Sequence, residues 1–197
     1  REGIGGNDFF RFTRKPLVIG IAGRMGKTIA GCIEDTEGVE LGGGTERAGS
    51  EAIGKDIGEV AGIGNKGVAV MDDPAKAFET CDVAIDFSES ESALGNILFL
   101  LEEGIPVVSG TTGWDNKINL VEKKCLEKNG SFLYSPNFSI GMNIFFELND
   151  FLAKKMKNQY LYKSQISELH HKEKKDKPSG TAIKLANDII KEIEHLQ

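Results

Sequence analysis

The sequence predicts an α/β fold: an open, doubly wound parallel sheet followed by a smaller, partial α+β domain. From Pro16 onward, short β-branched runs alternate with amphipathic stretches, the pattern of βαβ units. Glycines at 20, 23 and 26 stand between the first such run and the first amphipathic stretch. After Ser135-Pro136-Asn137 the alternation gives way to longer helical stretches, which marks a second domain.

Taken in order, the strands are expected over 17–19, 39–41, 67–70, 83–86, 105–108 and 131–134. Helices are expected over 24–35, 74–78, 90–103 and 115–128, with Gly104 in the position favoured just past a helix end. Residues 1–15 hold no continuous apolar block and read as an N-terminal arm. The dinucleotide-type domain then spans 16–137 and the second domain 138–197. In the latter, a helix is expected over 141–157, a strand over 160–168 and a helix over 181–196. The last helix is capped by Ser179 and carries a buried stripe of Ile183, Ala186, Ile190 and Ile193.

Composition narrows the function. The 197 residues carry 24 Lys and Arg against 30 Asp and Glu, a net charge of −6, which argues against a nucleic-acid partner. Cys32, Cys81 and Cys125 are widely separated and lack CxxC spacing, so neither a disulfide framework nor a zinc site is indicated. No apolar run is long enough for a membrane span, and a cytoplasmic location is expected.

Two motifs carry chemistry. Gly20-Ile21-Ala22-Gly23-Arg24-Met25-Gly26 opens a helix directly after the first strand, as in Rossmann-type folds. Glycines at these positions permit a tight turn, close backbone approach and close helix packing, so a pyrophosphate can sit at the positive helix end. Glu46 lies about twenty residues beyond Gly26, where an acidic side chain meets the ribose. Arg47 beside it suits a 2′-phosphate or an adenine face, so the pair suggests tolerance of both NAD and NADP. The alternative for this segment is a solvated turn made flexible by Gly42, Gly43 and Gly44. Asp86-Phe87-Ser88 and Gly110-Thr111-Thr112-Gly113 fall at the carboxyl ends of later strands, where ligands gather in such sheets.

The second motif runs from Glu168 to Ala182 and holds His170, His171, Lys174, Pro178, Ser179, Gly180 and Thr181. Imidazoles exchange protons near neutral pH, lysines attract anions, and free N–H groups at a helix start bind carboxylate or phosphate. Adjacent histidines point apart in a strand and no HxxxH spacing exists, so a metal site is disfavoured. A solvated charged loop explains the lysines, whereas an anion site with a proton donor explains the whole segment.

These motifs, together with Pro136-Asn137-Phe138-Ser139-Ile140-Gly141, resemble the dihydrodipicolinate reductase (4-hydroxy-tetrahydrodipicolinate reductase) family over residues 17–196. The resemblance implies reduction of a cyclic, doubly carboxylated imine by NADPH or NADH in diaminopimelate and lysine biosynthesis. It implies that Gly20, Ile21, Ala22, Gly23, Arg24, Met25 and Gly26 hold the pyrophosphate, and that Glu46 and Arg47 hold the adenosine ribose. Gly110, Thr111 and Thr112 then serve the nicotinamide side, with Ser135, Pro136, Asn137 and Phe138 as the hinge beside it. His170 becomes the acid–base residue and Lys174 the proton donor. His171, Lys174, Ser179, Gly180 and Thr181 hold the substrate carboxylates. The family is a homotetramer built through its second domain.

This chain departs from the family at Lys177, where a small residue is usual, and it stops before the family's further strands, so the second domain is expected to be partial. Two other classes share the first motif: a non-catalytic NAD(P)-binding module and another Rossmann dehydrogenase. Neither requires His170, Lys174 and the 179–181 turn together.

Overall fold

The computed structural model describes residues 13–170 and 178–193. It contains two compact units, one ending at Tyr134 and one beginning at Ser135, so the boundary falls ahead of the expected one after Asn137. The chain already joins the sheet before Pro16. Arg14 exchanges backbone hydrogen bonds with Gly38 and Glu40, and the Lys15 N–H donates to Asp82. The expected arm therefore ends earlier than residue 15, and residues 1–12 lie outside the described residues.

In the first unit, strands β1 (Pro16–Ile19), β2 (Gly43–Thr45), β3 (Val83–Asp86), β4 (Val107–Ser109) and β5 (Phe132–Tyr134) form one parallel sheet in the order β2-β1-β3-β4-β5. Order reverses beside β1, which makes the space beyond the β1 and β3 carboxyl ends the ligand crevice of a doubly wound sheet. All of β1 is buried, and its residues alternate between two cores. Leu17 and Ile19 pack with Ala93, Ile97, Leu100, Leu101 and Val121, whereas Val18 packs with Ile21, Ala30, Ile33 and Ile57. A strand covered on both faces has to be continuously apolar, which is why it reads so plainly.

Helices α1 (Arg24–Glu34), α2 (Ile57–Ala61), α3 (Pro74–Phe78), α4 (Ser90–Glu102) and α5 (Ile118–Glu127) cover the sheet, with a 3-10 turn at Asp115–Lys117. The strand expected over 39–41 is displaced: β2 takes in Gly43 and Gly44 of the glycine run together with Thr45, and Val39 makes a single bridge to Arg14. These glycines are tightly packed strand and not flexible loop. A Cβ on Gly43 would lie 2.9 Å from the Ala77 carbonyl oxygen, and one on Gly44 would lie 3.1 Å from Ile21 and Ile57.

The strand expected over 67–70 is likewise absent as a strand. Its hydrogen bonds are split, Val68 and Val70 pairing with the loop at 54–57 and Met71 with Gly44 and Glu46. Helix α2 has no counterpart in the sequence reading, although Asp56 caps it in a recognisable Asp-x-x-Glu pattern. Its carboxylate accepts from the Gly58 and Glu59 N–H groups and from those of Lys66, Gly67 and Val68. Burial opposes ionisation of Asp56, but these backbone donors outweigh it and its pKa is lowered.

In the second unit, α6 (Ile140–Met156) packs against α7 (Gly180–Glu192), with Asn149 Nδ2 donating to the Leu185 carbonyl at 3.1 Å and Lys184 over the Phe146 ring. The expected stripe on α7 is rotated. Ala182, Leu185 and Ile193 are buried, while Ile183 and Ile190 are exposed. Helix α7 is apolar on two overlapping faces, and the fit against α6 selects the one through Leu185. Residues 160–168 form no strand, because among the described residues of this unit there is no second strand to complete a ladder.

Candidate functional site

The turn from Gly20 to Gly26 leaves β1 and enters α1. Gly20 has φ +82°, a left-handed conformation that an L side chain resists, and a Cβ on Gly26 would lie 2.1 Å from the Gly20 carbonyl oxygen. The glycines thus bring the first turn of α1 directly against the loop. Amides at the start of α1 have no intrahelical acceptor, and Gly23 at the N-cap offers no side chain to satisfy them. Such a cradle of free amides can receive an anion. Ile21 is different: its side chain is fully buried and its N–H donates to the Thr45 carbonyl, so it builds the turn from behind. Arg24 and Met25 are exposed on the first turn of the helix.

Beside the cradle lies a cleft of about 490 Å³, within the range of small-molecule sites. Gly20, Ala22 and Gly23 line it from one side, Glu46 and Arg47 from the β2 end, and Ser88, Glu89 and Asn96 from the β3 end. A Glu46 carboxylate oxygen accepts from the Ala22 N–H at 2.8 Å, which fixes the acid against the glycine turn. Arg47 Nη1 donates to both Glu89 carboxylate oxygens, at 3.1 and 3.3 Å.

The strand ends at Asp86 and Ser109, expected from the sequence to be places where ligands gather, meet in a hydrogen-bonded node beneath the crevice. The Asp86 carboxylate is fully buried and accepts from Ser88 Oγ at 2.7 Å, Thr111 Oγ1 at 2.9 Å and Ser109 Oγ at 3.1 Å. It ties the loops after β3 and β4 together. Thr111 therefore spends its hydroxyl on the scaffold, whereas Thr112 is exposed. Gly110 is a glycine because the Phe87 ring lies against it, with a Cβ there falling 2.1 Å from Phe87 Cζ. The signal for this node was an acidic residue closing an otherwise apolar strand, followed by hydroxyl residues at the next strand's end.

In the second unit, Ser135 to Asn143 form a compact turn. Ser135 Oγ donates to the Asn137 carbonyl at 2.7 Å, and Asn137 Oδ1 accepts from the Ser139 N–H at 2.9 Å. Ser139 caps α6, and Phe138 is exposed. Farther on, Glu168 Oε2 lies 3.0 Å from His170 Nε2, Glu168 Oε1 accepts from the Ser179 N–H at 2.9 Å, and Ser179 Oγ donates to Glu168. Hydrogen bonds from the Ser179 hydroxyl and N–H, then from His170, pull the Glu168 pKa down to about 2.

Ser179 Oγ also accepts from the Ala182 N–H at 3.0 Å, so Ser179 is engaged in capping. The N–H groups of Gly180 and Thr181, on the first turn of α7, have no intrahelical acceptor. His171, Lys174 and Lys177 lie outside the described residues. Among those described, no cluster of three or more His, Cys, Asp or Glu is arranged to hold a metal, and no helix is long and apolar enough to cross a membrane.

With this geometry in hand, comparison with known proteins is direct. Family profiles described as "Dihydrodipicolinate reductase, N-terminus" and "Dihydrodipicolinate reductase, C-terminus" match residues 15–138 and 141–196. The chain is 37% identical over 174 residues to 4-hydroxy-tetrahydrodipicolinate reductase of Chromohalobacter salexigens, covering 88% of this chain and 64% of that protein. It is 41% identical over 173 residues to that of Anaeromyxobacter dehalogenans, covering 87% and 62%. It thus spans less than two thirds of the length of these curated relatives. Among solved structures, the dipicolinate-bound dihydrodipicolinate reductase of Paenisporosarcina sp. TG-14 superposes with a TM-score of 0.68 at 20% identity, covering 91% of this chain and 66% of that one.

Proposed function

The chain belongs to the dihydrodipicolinate reductase family, and from that premise we propose that it serves the NAD(P)H-dependent reduction of a cyclic dicarboxylate imine to tetrahydrodipicolinate in diaminopimelate and lysine biosynthesis. The observation that carries this reading is the cradle at the Gly20–Gly26 turn. Any side chain at Gly26 would collide with the Gly20 carbonyl, and the close approach of helix to loop that these glycines permit lets the amides at the α1 start face a pyrophosphate.

A nicotinamide dinucleotide bound there supplies the hydride. The chain's residues do the rest. The amides of the turn and of the α1 start hold the pyrophosphate, and the Glu46 carboxylate accepts from the ribose hydroxyls, exchanging its bond to Ala22 for them. In the second unit the Gly180 and Thr181 N–H groups receive a substrate carboxylate at the α7 start. His170, oriented through Nε2 by Glu168, moves the proton by way of Nδ1. Lys174 and His171 take the roles implied by the resemblance, the proton donor and a carboxylate ligand. A cytoplasmic homotetramer is proposed for the protein by the same reasoning, and light scattering during gel filtration tests the assembly.

The deciding experiment incubates the protein with NADPH or NADH and freshly generated cyclic imine. Loss of nicotinamide absorbance that depends on the imine is expected. His170→Gln and Lys174→Ala should each lower kcat by about 10²-fold or more while leaving the dinucleotide Kd unchanged. Dinucleotide binding without turnover would favour the non-catalytic module, and equal loss of binding and turnover in the variants would reject the assigned roles.

A further inference from the structure

Arg47 and Glu89 face each other across the lip of the nucleotide cleft. One follows β2 and the other sits at the N-cap of α4, 42 residues apart in sequence. The pair is exposed, with side-chain accessibilities of 74% and 64%, so it adds little to stability. Its consequence is for charge. Glu46, Asp72 and Glu89 line the cleft, and Arg47 is the one cation among its lining residues. Three carboxylates thus share the cleft lining with one guanidinium, and Glu89 holds that guanidinium through two contacts from Nη1.

We propose that Glu89 is a cofactor-specificity determinant: by holding and neutralising Arg47, it makes this cleft favour the dinucleotide with a free 2′-hydroxyl, NADH, over its 2′-phosphorylated counterpart, NADPH. The inference rests on the nucleotide-binding reading of the cleft and deepens it. A 2′-phosphate brings about −1.5 to −2 charges at neutral pH. To be stabilised it must win Arg47 from Glu89 while entering the field of Glu46 and Asp72. A 2′-hydroxyl brings no charge, donates to the Glu46 carboxylate and leaves the Arg47–Glu89 pair intact. Because the lip is exposed, water and salt screen the effect, so the discrimination is modest in size and sensitive to ionic strength. Adjacent Glu46 and Arg47 suggest tolerance of both cofactors when read as sequence; Glu89 arrives only through the fold.

The test is calorimetric titration of the full chain with NADH and with NADPH, for the wild type, Glu89→Gln, Glu89→Arg and Arg47→Ala, at low and high salt. Glu89 makes no side-chain cap to α4, so its replacement leaves the helix start unchanged, and thermal melts check this. The wild type is expected to bind NADH more tightly. Glu89→Gln should tighten NADPH about five- to tenfold and change NADH less than twofold, with Glu89→Arg going further and salt shrinking the gain. In the Arg47→Ala background the effect of Glu89→Gln on NADPH should largely disappear. Equal changes for both dinucleotides, no change, or a wild type that prefers NADPH overturns the assignment. A wild type that binds neither dinucleotide overturns the nucleotide reading itself, and this inference falls with it.

Discussion

Asp86 and Thr111, 25 residues apart, are joined by a 2.9 Å hydrogen bond from Thr111 Oγ1 to a fully buried carboxylate oxygen. With Ser88 and Ser109 on the same carboxylate, this bond locks together two loops at the carboxyl edge of the sheet. Asp86→Ala leaves three hydroxyls without their acceptor. It is expected to lower stability by about 2–3 kcal/mol in urea unfolding, whereas Ser109→Ala should cost about 1 kcal/mol. Dinucleotide affinity should fall with Asp86→Ala, since the loop bearing Ser88 and Glu89 lines the cleft.

Glycines in α1 separate conformational need from ordinary helix preference. A methyl on Gly26 meets the Gly20 carbonyl oxygen at 2.1 Å, whereas one on Gly31 meets nothing within 4 Å. Gly31→Ala should therefore stabilise the protein by about 0.5–1 kcal/mol. Gly26→Ala should destabilise it and abolish measurable dinucleotide binding. A Gly26→Ala protein with wild-type affinity would show that the cradle is not a binding element.

Thr45 Oγ1 is buried with no hydrogen-bond partner among the described residues. An isosteric Thr45→Val removes a polar group whose desolvation is uncompensated, so a gain of about 1 kcal/mol in thermal or urea unfolding is expected. A loss of similar size would mean that the hydroxyl has a partner in solution.

Glu168 makes the start of α7 pH-dependent. Its folded pKa of about 2 lies below the ordinary 4.5, so the stabilisation it provides is fully present above pH 4.5 and is lost as pH falls from 4.5 towards 2. Helical signal measured through that window should decline in the wild type. Glu168→Gln should remove this part of the decline, because no proton is then taken up at the site.

Much of the fold is legible in the chain itself. The continuously apolar β1, the glycines after it and the Gly104 stop each reflect a local requirement: burial on both faces, a left-handed turn, and a helix end. Elements that depend on partners read less well. Residues 160–168 look like a strand by pattern yet have no neighbour to pair with among the described residues, and α7 offers two apolar faces of which packing on α6 chooses one.

What the sequence alone determined is the parallel α/β architecture and the glycine turn between β1 and α1, because spacing and residue type are sufficient for them. Only the tertiary structure decided that Gly42, Gly43 and Gly44 are packed, that Asp86 gathers three hydroxyls, that Ser179 is held by Glu168, and that Glu89 pairs with Arg47. Each of these depends on a partner that folding brings within a few ångströms. Hydrogen bonds and ion pairs act over that distance in space, whatever the separation along the chain.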